Sequence, residues 1–465
     1  MDDDLDVEHL SEADTFALLL ERDPMLRSTI VAVATFDRAP NWVRLCDRVE
    51  RATRLVPRFR MKLVASPLGL APPRWVVDED FELRWHLRRI RLHENEGRDE
   101  LLALARNWGM EAFDHDRPMW VFHLVEGLPG DRAALVMKVH HSLTDGIGGI
   151  QIAGHVVDLE RRAPSQGPMP PVPHTAGPGL LDAVTDPIAF QFGRAFAVGR
   201  EVARELPRAA ARSVSRPFGT LGDVAGTARA VANFVRPVTS QRSPVMTGRS
   251  LRWHYAELDL PFDRLHDAAR VVSCTLNDAF LAGLAGGMRI YHQRHGADVE
   301  RLRLTMPISI RRPGEAEGGN RVTLTRFDLP VGHASAGVRM VQIDERIREV
   351  RADPAIPFSN MIAGVLNLLP ISITGGMLKN VDFLASDVPG FRQHVYIGGA
   401  RLESFHAFGP TLGASANITL MSYAEHCHLG VNTDARAVSD PMVFLQCLRD
   451  GFDEVMELAD LSSSG

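Results

Sequence analysis

The chain has 465 residues, of which 45% are apolar and 24% are charged, and its formal net charge is −6. These values are typical of a globular protein, and the length favours two domains over one. The acidic balance excludes a typical nucleic-acid-binding protein, because contact with a phosphate backbone needs a basic surface.

The first 160 residues have the pattern of mixed α and β structure. The β-branched run at 30–36 predicts a buried strand, and the run at 133–139 predicts a second one. Apolar residues recur at helical intervals over 42–53 and again over 146–159. The pair His140-His141 therefore lies at a strand-to-helix turn, where we expect side chains to point into a cleft rather than into the core.

A proline-rich segment follows this first part. Six prolines fall between residues 164 and 178, which excludes a continuous helix and favours an extended crossover. Residues 180–234 then have a helical pattern with arginines on roughly one side. That side either lies on an anionic membrane or is a solvated face that pairs with Glu201 and Glu205. The arginines are Arg200, Arg204, Arg208, Arg212 and Arg216.

The second half begins near Leu251. Thr275 followed by Asp278 predicts a capping box at the start of a helix that runs to about residue 293. Residues 302–308 predict a strand, and residues 416–432 predict two strands joined by a turn. The predicted divisions are an N-terminal half (1–162), a crossover with a helical linker (163–250) and a C-terminal half (251–465).

Cysteine use and the N-terminus indicate a cytoplasmic protein. Cys46, Cys274, Cys427 and Cys447 are widely spaced, which favours reduced thiols over a disulfide framework or a zinc cluster. The acidic start Met1-Asp2-Asp3-Asp4 is unlike a signal peptide, which is basic and then apolar. No run reaches the roughly 18 apolar residues of a membrane span.

The run His140-His141-Ser142-Leu143-Thr144-Asp145-Gly146 combines the groups that a proton-transfer site needs. Imidazole titrates near neutral pH, so one histidine can take a proton from an alcohol and pass it to a leaving thiolate. Asp145 can hold the turn, and Gly146 relieves crowding at the helix start. Two other interpretations remain open: core histidines beside an Asp145 N-cap, and a metal site. No second cluster supplies a further ligand at a recognisable spacing.

Several short elements surround this motif in a fixed order. With them, the sequence resembles the bacterial wax ester synthase/diacylglycerol acyltransferase family over nearly its whole length. The elements are LSEADTF at 10–16, VPRFR at 56–60, DRPMW at 116–120, ND at 277–278, PISIR at 307–311, GNRV at 319–322 and VPG at 388–390.

The resemblance implies an α/β fold like that of chloramphenicol acetyltransferase and peptide-synthetase condensation domains, with a substrate tunnel between two α/β domains. It implies an O-acyltransferase that moves an acyl group from acyl-CoA to diacylglycerol or a long-chain alcohol, with no metal or redox cofactor. A lipid acceptor would also imply peripheral contact with a membrane or a lipid droplet. No Gly-x-Ser-x-Gly elbow is present, so we expect no acyl-enzyme.

The resemblance also assigns roles to individual residues. His141 would be the general base, with His140 and Asp145 beside it in the catalytic motif. Positions with a motif or structural role are Gly146, Asn277, Asp278 and Arg311, the last as the partner of Asp145. Substrate-binding positions are Pro118, Trp120 and Gly149.

Four departures from the family pattern leave these proton-transfer residues in place. Asp387 replaces an asparagine, Phe391 replaces a proline, Val121 stands where an acid is usual, and residues 25–28 differ. They bear on the choice of acceptor, so three alternatives stay open. These are an acyltransferase with a glycolipid, polyketide alcohol or amine acceptor, a hydrolase in which His141 activates water, and a non-catalytic lipid-binding homologue.

Overall fold

The structure is a computed structural model, which describes residues 8–66, 71–144, 146–164, 166–174, 240–309, 322–352 and 379–462. Asp145, Arg311 and the arginine-spaced segment 180–234 lie outside these ranges. In the part of the chain that the structure describes, two six-stranded sheets with helices against them form a mixed α/β fold, which confirms the predicted fold class.

The elements before the crossover alternate between strands and helices. In chain order they are α1 Glu12–Leu20, β1 Thr29–Phe36, α2 Trp42–Leu55, β2 Met61–Val64, β3 Arg74–Val77, α3 Leu83–His86, β4 Leu87–Arg91, α4 Arg98–Met110, β5 Trp120–Leu128, β6 Arg132–His140 and α5 Gly146–Val156.

The elements after the crossover build the whole second sheet and its helical layer, and they add β11 and β12 to the first sheet. They are β7 Trp253–Pro261, α6 Phe262–Val271, α7 Leu276–Arg294, β8 Arg301–Ser309, β9 Val322–Pro330, α8 Ala336–Arg351, β10 Phe383–Pro389, β11 Tyr396–Ile397, β12 Ala400–Phe408, β13 Ala416–Tyr423, β14 His426–Asp434 and α9 Pro441–Ser462.

The first sheet has the strand order β11-β12-β1-β6-β5-β4. The predicted strands at 30–36 and 133–139 are confirmed as β1 and β6, which pair antiparallel with Thr29 opposite His140. Val31, Val33 and Val136 are fully buried in this sheet, as the β-branched pattern predicts. The end of β6 is thereby fixed against the start of β1, and this register positions the double histidine.

The second sheet has the order β7-β14-β13-β10-β8-β9, and α7 lies in the helical layer packed on it. The predicted capping box is confirmed, with Thr275 Oγ1 accepting from Asp278 N at 3.3 Å and Asp278 Oδ2 accepting from Thr275 N at 2.8 Å. Gly287 lets α9 pack closely, because a Cβ there would lie 2.6 Å from Leu448 Cα. The helix is therefore buried by its small residues as well as by its apolar ones.

Strand β12 crosses the predicted division between the halves. It follows β10 in sequence, yet it pairs antiparallel with β1 of the first sheet, with His406 opposite Val33. It runs close to β14 of the second sheet, and a Cβ on Gly430 would lie 2.0 Å from the carbonyl oxygen of Ala407. Only glycine permits this approach. The β11–β12 hairpin therefore belongs to the first sheet, although it lies within the predicted C-terminal half 251–465.

Helix α5 ends at Val156, three residues before the predicted end at 159. The cause is a long-range pairing, because Asp158 N donates to Tyr396 O at 2.7 Å and Tyr396 N donates back at 2.8 Å. Arg48 of α2 holds the buried Asp158 carboxylate at 2.5 Å. The chain therefore leaves the helix to extend the edge of the first sheet.

The proline-rich crossover has no helix or strand over residues 166–174. It lies along α2, where Arg51 donates to the carbonyls of Gly167 at 2.7 Å and Pro168 at 2.9 Å. Arg54 donates to the Pro170 carbonyl at 2.8 Å. The predicted extended form is confirmed for these residues.

Two further expectations concern thiols and membranes. All four cysteines are free in the structure, and their reduced state in the cell stays a prediction. Across the described ranges, no single helix has the length and apolar character of a membrane span. Helices α6 and α7 meet that test only together, across a 96° bend.

Candidate active site

The double histidine lies in the turn between β6 and α5, as the sequence predicts. His141 N donates to the carbonyl of Ser28 at 3.0 Å, and Leu143 N donates to the carbonyl of His140 at 3.0 Å. Ser28 directly precedes β1, so the turn is fixed to the neighbouring strand by its own backbone. This arrangement fixes the backbone from which the two imidazoles project.

His140 is fully buried and its ring is held from both sides. Its Nδ1 accepts from Ser142 N at 3.1 Å and lies 2.6 Å from Ser142 Oγ. Because a backbone N–H donates to Nδ1, the ring proton belongs on Nε2. Nε2 lies 2.9 Å from Glu21 Oε1, an ion-pair distance at which the ring N–H is not aligned for a hydrogen bond. His140 therefore braces the turn and offers no face to a substrate.

Glu21, just after α1, is the acid behind this histidine. Its Oε1 also accepts from Ser28 N at 2.8 Å. Burial alone would raise the pKa of this carboxyl, but His140 and the Ser28 amide together outweigh burial and hold the pKa below its usual value. The carboxylate is thus ionised at neutral pH and links the two chain segments that form the turn.

His141 differs from His140 in its exposure. Its side chain is half-buried, whereas that of His140 has no exposed surface. A general base has to reach the proton that it removes, so accessibility separates the two rings. Of the pair, His141 is the one that can meet an acceptor hydroxyl.

A buried lysine lies next to the turn. Lys138 Nζ donates to the Glu111 carbonyl at 2.9 Å and lies 4.3 Å from the ring centre of Phe113. The same Phe113 ring meets His140 edge-on at 5.9 Å. Burial lowers the pKa of Lys138 to about 8. Phe113 therefore separates a weakened ammonium group from the histidine.

Residues of the second sheet approach this turn. Leu143, two residues after His141, belongs to the same buried apolar cluster as Val388 and Met421, and Ile150 of α5 packs against that cluster. Val388 is in β10 and Met421 is in β13. The turn thus lies at the junction of the two sheets, which is where the predicted tunnel would place it.

The Asn-Asp element contributes mainly to helix structure. Asp278 is 2% exposed, and its carboxylate closes the capping box described above. This position is structural. Asn277 is in the first turn of α7 and half-buried, and its side chain makes no hydrogen bond with the residues that the structure describes.

Trp120 lies in the core of the structure, and its role as a substrate-binding residue stays a prediction. Its side chain is 0% exposed, and its Nε1 donates to the Phe59 carbonyl at 2.8 Å. The ring packs against Phe59 and His86 at centroid distances of 5.5 and 4.6 Å. Pro118 is buried as well, and its carbonyl accepts from Trp120 N at 2.9 Å. Gly149 of α5 is half-buried beside Thr144 and stays a predicted substrate position.

Asp387, one of the departures from the family pattern, lies in β10 opposite Leu420 of β13. Burial raises the pKa of its carboxyl to about 6. Burial and the nearby Asp387 together raise the pKa of Cys427 to about 12. An asparagine in this position would carry no charge, so the substitution adds a titratable group to the interior of the second sheet.

Several residues lie beyond the sequence prediction. Three residues outside the motif surround the double histidine. Glu21 follows α1, Ser28 precedes β1, and Lys138 lies two residues before His140 in β6. A lysine inside an apolar strand pattern is a usable signal for Lys138, whereas Glu21 has no local signal. Asp145 and Arg311 lie outside the described residues.

No metal site is formed at this turn by the residues that are described. In those ranges, one group of three candidate ligand side chains has its atoms within 4.8 Å of one another, and it consists of Asp259, His406 and His428. None of the three belongs to the double-histidine motif.

Two family models and several known proteins match this chain in sequence. The family model of the wax ester synthase/diacylglycerol acyltransferase catalytic domain matches residues 10–280, and that of the WS/DGAT C-terminal domain matches residues 318–456. A protein of Mycobacterium tuberculosis (strain H37Rv) that is named as a diacylglycerol O-acyltransferase is 35% identical over 446 residues, which cover 94% of this chain and 90% of that protein.

Two solved structures share the fold. The wax ester synthase/diacylglycerol acyltransferase of Marinobacter aquaeolei VT8 superposes with a TM-score of 0.63 at 22% identity, covering 97% of this chain and 100% of that one. A starter condensation domain of rhizomide synthetase, in complex with C8-CoA and Leu-SNAC, superposes with a TM-score of 0.59 at 14% identity, covering 98% and 94%.

Proposed function

The chain belongs to the wax ester synthase/diacylglycerol acyltransferase family, and on that premise we propose that it transfers an acyl group from acyl-CoA to a lipid alcohol, with His141 as the general base. The acceptor class is diacylglycerol or a long-chain alcohol. The observation that carries the choice of base is the difference between the two adjacent imidazoles, since His140 is sealed in the core and His141 is accessible.

The reaction needs one proton to move twice. His141 removes the proton from the acceptor hydroxyl as its oxygen attacks the thioester carbonyl carbon. The tetrahedral intermediate collapses with cleavage of the carbon–sulfur bond, and the imidazolium returns the proton to the thiolate of CoA. Ester and free CoA are the products, and no acyl-enzyme forms. The remaining catalysis comes from holding two large substrates together.

The groups behind His141 serve to position it. The backbone bond from His141 to Ser28 and the contact of His140 with Glu21 fix the turn, and with it the backbone that carries the catalytic ring. Asp145 and Gly146 complete the motif by the family resemblance. No metal or redox cofactor takes part in this scheme.

The substrates suggest where the enzyme works. A C8-CoA complex of a protein with the same fold supports acyl-CoA as the donor. Diacylglycerols and long-chain alcohols partition into membranes and droplets because burial of their methylene groups is favourable. We therefore propose a cytoplasmic enzyme that meets its acceptor by peripheral contact with such a surface.

The test measures CoA release from palmitoyl-CoA by purified protein with diacylglycerol, with hexadecanol and with no acceptor. His141→Ala should lower acceptor-dependent release about 10²–10⁴-fold, the usual contribution of a general base. His155→Ala is the matched control, since His155 is an exposed histidine of the adjoining helix and should keep full activity.

Two results would contradict the proposed chemistry, and a third would contradict the proposed acceptor. Equal release without acceptor, with free palmitate as the product, would identify a hydrolase. Full activity of His141→Ala would remove the histidine from the chemistry. Activity that appears only with an amine or a glycolipid would keep His141 as base and replace the acceptor class, which mass spectrometry of the product identifies.

A further inference from the structure

The second sheet opens between two of its neighbouring strands. Among the residues that the structure describes, the parallel strands β8 and β10 pair only where Phe383 meets Leu304 and Leu384 meets Thr305. Both strands continue beyond these pairs, since β8 stays paired with β9 and β10 stays paired with β13 up to their ends. The carboxyl-terminal parts of β8 and β10 therefore separate and leave a gap in the sheet.

The sequence of β8 gives a physical reason for the separation. Pro307 lies two residues beyond Thr305, the last residue of β8 that pairs with β10. A proline has no N–H, so it cannot donate a hydrogen bond to a neighbouring strand. The pairing thus ends where the strand loses a donor.

The gap opens on the side of the catalytic turn. Strands β8, β10 and β13 are parallel to one another, so their carboxyl ends lie at one edge of the sheet. At this edge, Val388 of β10 and Met421 of β13 share an apolar cluster with Leu143 of the double-histidine turn. Ligands of sheets with parallel strands commonly bind in the crevice beyond the carboxyl ends. The gap is therefore in the position of a substrate subsite.

Asp387 lies in the open part of β10. Phe383 and Ala385, on the same face of the strand, belong to the apolar core of the second sheet, as does the nearby Cys427. Asp387 itself is half-buried, and its carboxylate forms no hydrogen bond or ion pair with a described residue. Burial alone raises the pKa of this carboxyl to about 6, so it is mostly ionised at neutral pH. A carboxylate that is partly removed from water is unfavourable unless hydrogen-bond donors surround it.

A molecule in the gap can supply the missing donor. The hydroxyl that is acylated cannot do so, because its proton goes to His141 in the proposed reaction. A second hydroxyl on the acceptor can, and a hydrogen bond to an ionised group is roughly twice as strong as one between neutral groups. A long-chain alcohol with a single hydroxyl offers no such donor.

We propose that Asp387 selects the acceptor by accepting a hydrogen bond from a second hydroxyl next to the one that is acylated. Within the class of long-chain alcohols, the preferred acceptor then carries hydroxyls on two neighbouring carbons. The asparagine of the family pattern carries no charge at this position and accepts such a bond more weakly. The inference rests on the proposed acyl transfer with His141 as base, and it narrows the acceptor.

The experiment is a competition between 1-hexadecanol and 1,2-hexadecanediol in the same detergent micelles, with palmitoyl-CoA and the full-length protein. Mass spectrometry of the two esters gives the ratio of their kcat/KM values. The wild type should favour the diol roughly 10–100-fold, the usual effect of a hydrogen bond to a charged group. Asp387→Asn should lower this ratio about tenfold. The matched control is Ser386→Ala, the adjacent half-buried residue of β10, which should keep the wild-type ratio.

A binding measurement makes the test independent of turnover. Calorimetric titration with the soluble probes 1,2-octanediol and 1-octanol, without acyl-CoA, should show the same preference in the wild type and its loss in Asp387→Asn. Equal ratios for the wild type and Asp387→Asn would overturn the proposal, because water alone would then solvate the carboxylate. Failure of the proposed function is distinguishable, since ester formation would be absent or would survive His141→Ala while the difference in diol binding remained.

Discussion

Replacing Trp120 with phenylalanine tests whether this motif residue serves the core or the substrate. The indole is fully buried, and its Nε1 bonds to the Phe59 carbonyl at 2.8 Å. Phenylalanine leaves that carbonyl without its donor, which costs about 1–3 kcal/mol in a buried position. It also leaves a space of about 40 Å³, which adds roughly 1 kcal/mol. We therefore expect a loss of about 2–4 kcal/mol in the free energy of unfolding.

The assay is urea unfolding followed by far-ultraviolet circular dichroism, since the substitution removes a fluorophore. The control is Trp85→Phe, because Trp85 is 40% exposed and its ring stacks with the guanidinium groups of Arg88 and Arg117 at 4.9 and 4.5 Å. That change should cost less than about 1 kcal/mol. Michaelis constants for acyl-CoA and the acceptor should stay unchanged in both variants.

One pattern would refute the reasoning. If Trp120→Phe unfolded at the same urea concentration as the wild type while a Michaelis constant rose tenfold, the indole would contact a substrate. The substrate-binding role that the family resemblance implies for Trp120 would then be correct, and the packing of its indole in the core would be secondary.

Three further predictions concern stability. Gly430→Ala places a Cβ 2.0 Å from the Ala407 carbonyl oxygen and should lower the free energy of unfolding by at least about 1–3 kcal/mol, measured by thermal unfolding. The control Gly154→Ala has open space around the new Cβ, so it should be neutral or slightly stabilising. The folded-state pKa of Glu21 lies below the unfolded value of 4.5, so the carboxylate stabilises the fold above that pH and this stabilisation is lost as the pH falls. Glu21→Gln should therefore flatten the acid side of a plot of unfolding free energy against pH. An unchanged acid side would contradict the assignment. The pKa of Lys138 falls from 10.5 to about 8 on folding, so the protein should gain stability between about pH 8 and 10, and Lys138→Met should lose that gain.

Patterns within a few residues of one another were sufficient to predict the local structure. The β-branched runs of β1 and β6 and the Thr275–Asp278 box report conformations that neighbouring residues determine. The end of α5 was predicted three residues late, because Asp158 pairs with Tyr396 far along the chain. The place of β12 in the first sheet has the same kind of cause, since no local pattern states which strand will be a neighbour.

The site was predicted in part for similar reasons. Residue type and order are enough to find His140 and His141, but burial separates their roles, and burial depends on the whole fold. Glu21 contacts His140 from another part of the chain, so the spacing of residues around the motif does not predict this contact. Trp120 shows a limit of the motif, because its position in the family pattern predicts a substrate contact while its side chain is buried in the core.

The return of β12 to the first sheet determines the order in which the chain can fold during synthesis. Val31 and Val33 of β1 are fully buried, and β1 pairs with β6 on one side and with β12 on the other. Strand β12 is complete only when residue 408 has left the ribosome. Until then β1 is an unpaired apolar edge, which is a template for aggregation. We expect a nascent chain of the first 250 residues to need a chaperone, and a gene split at the crossover to give soluble protein only when both fragments are made together.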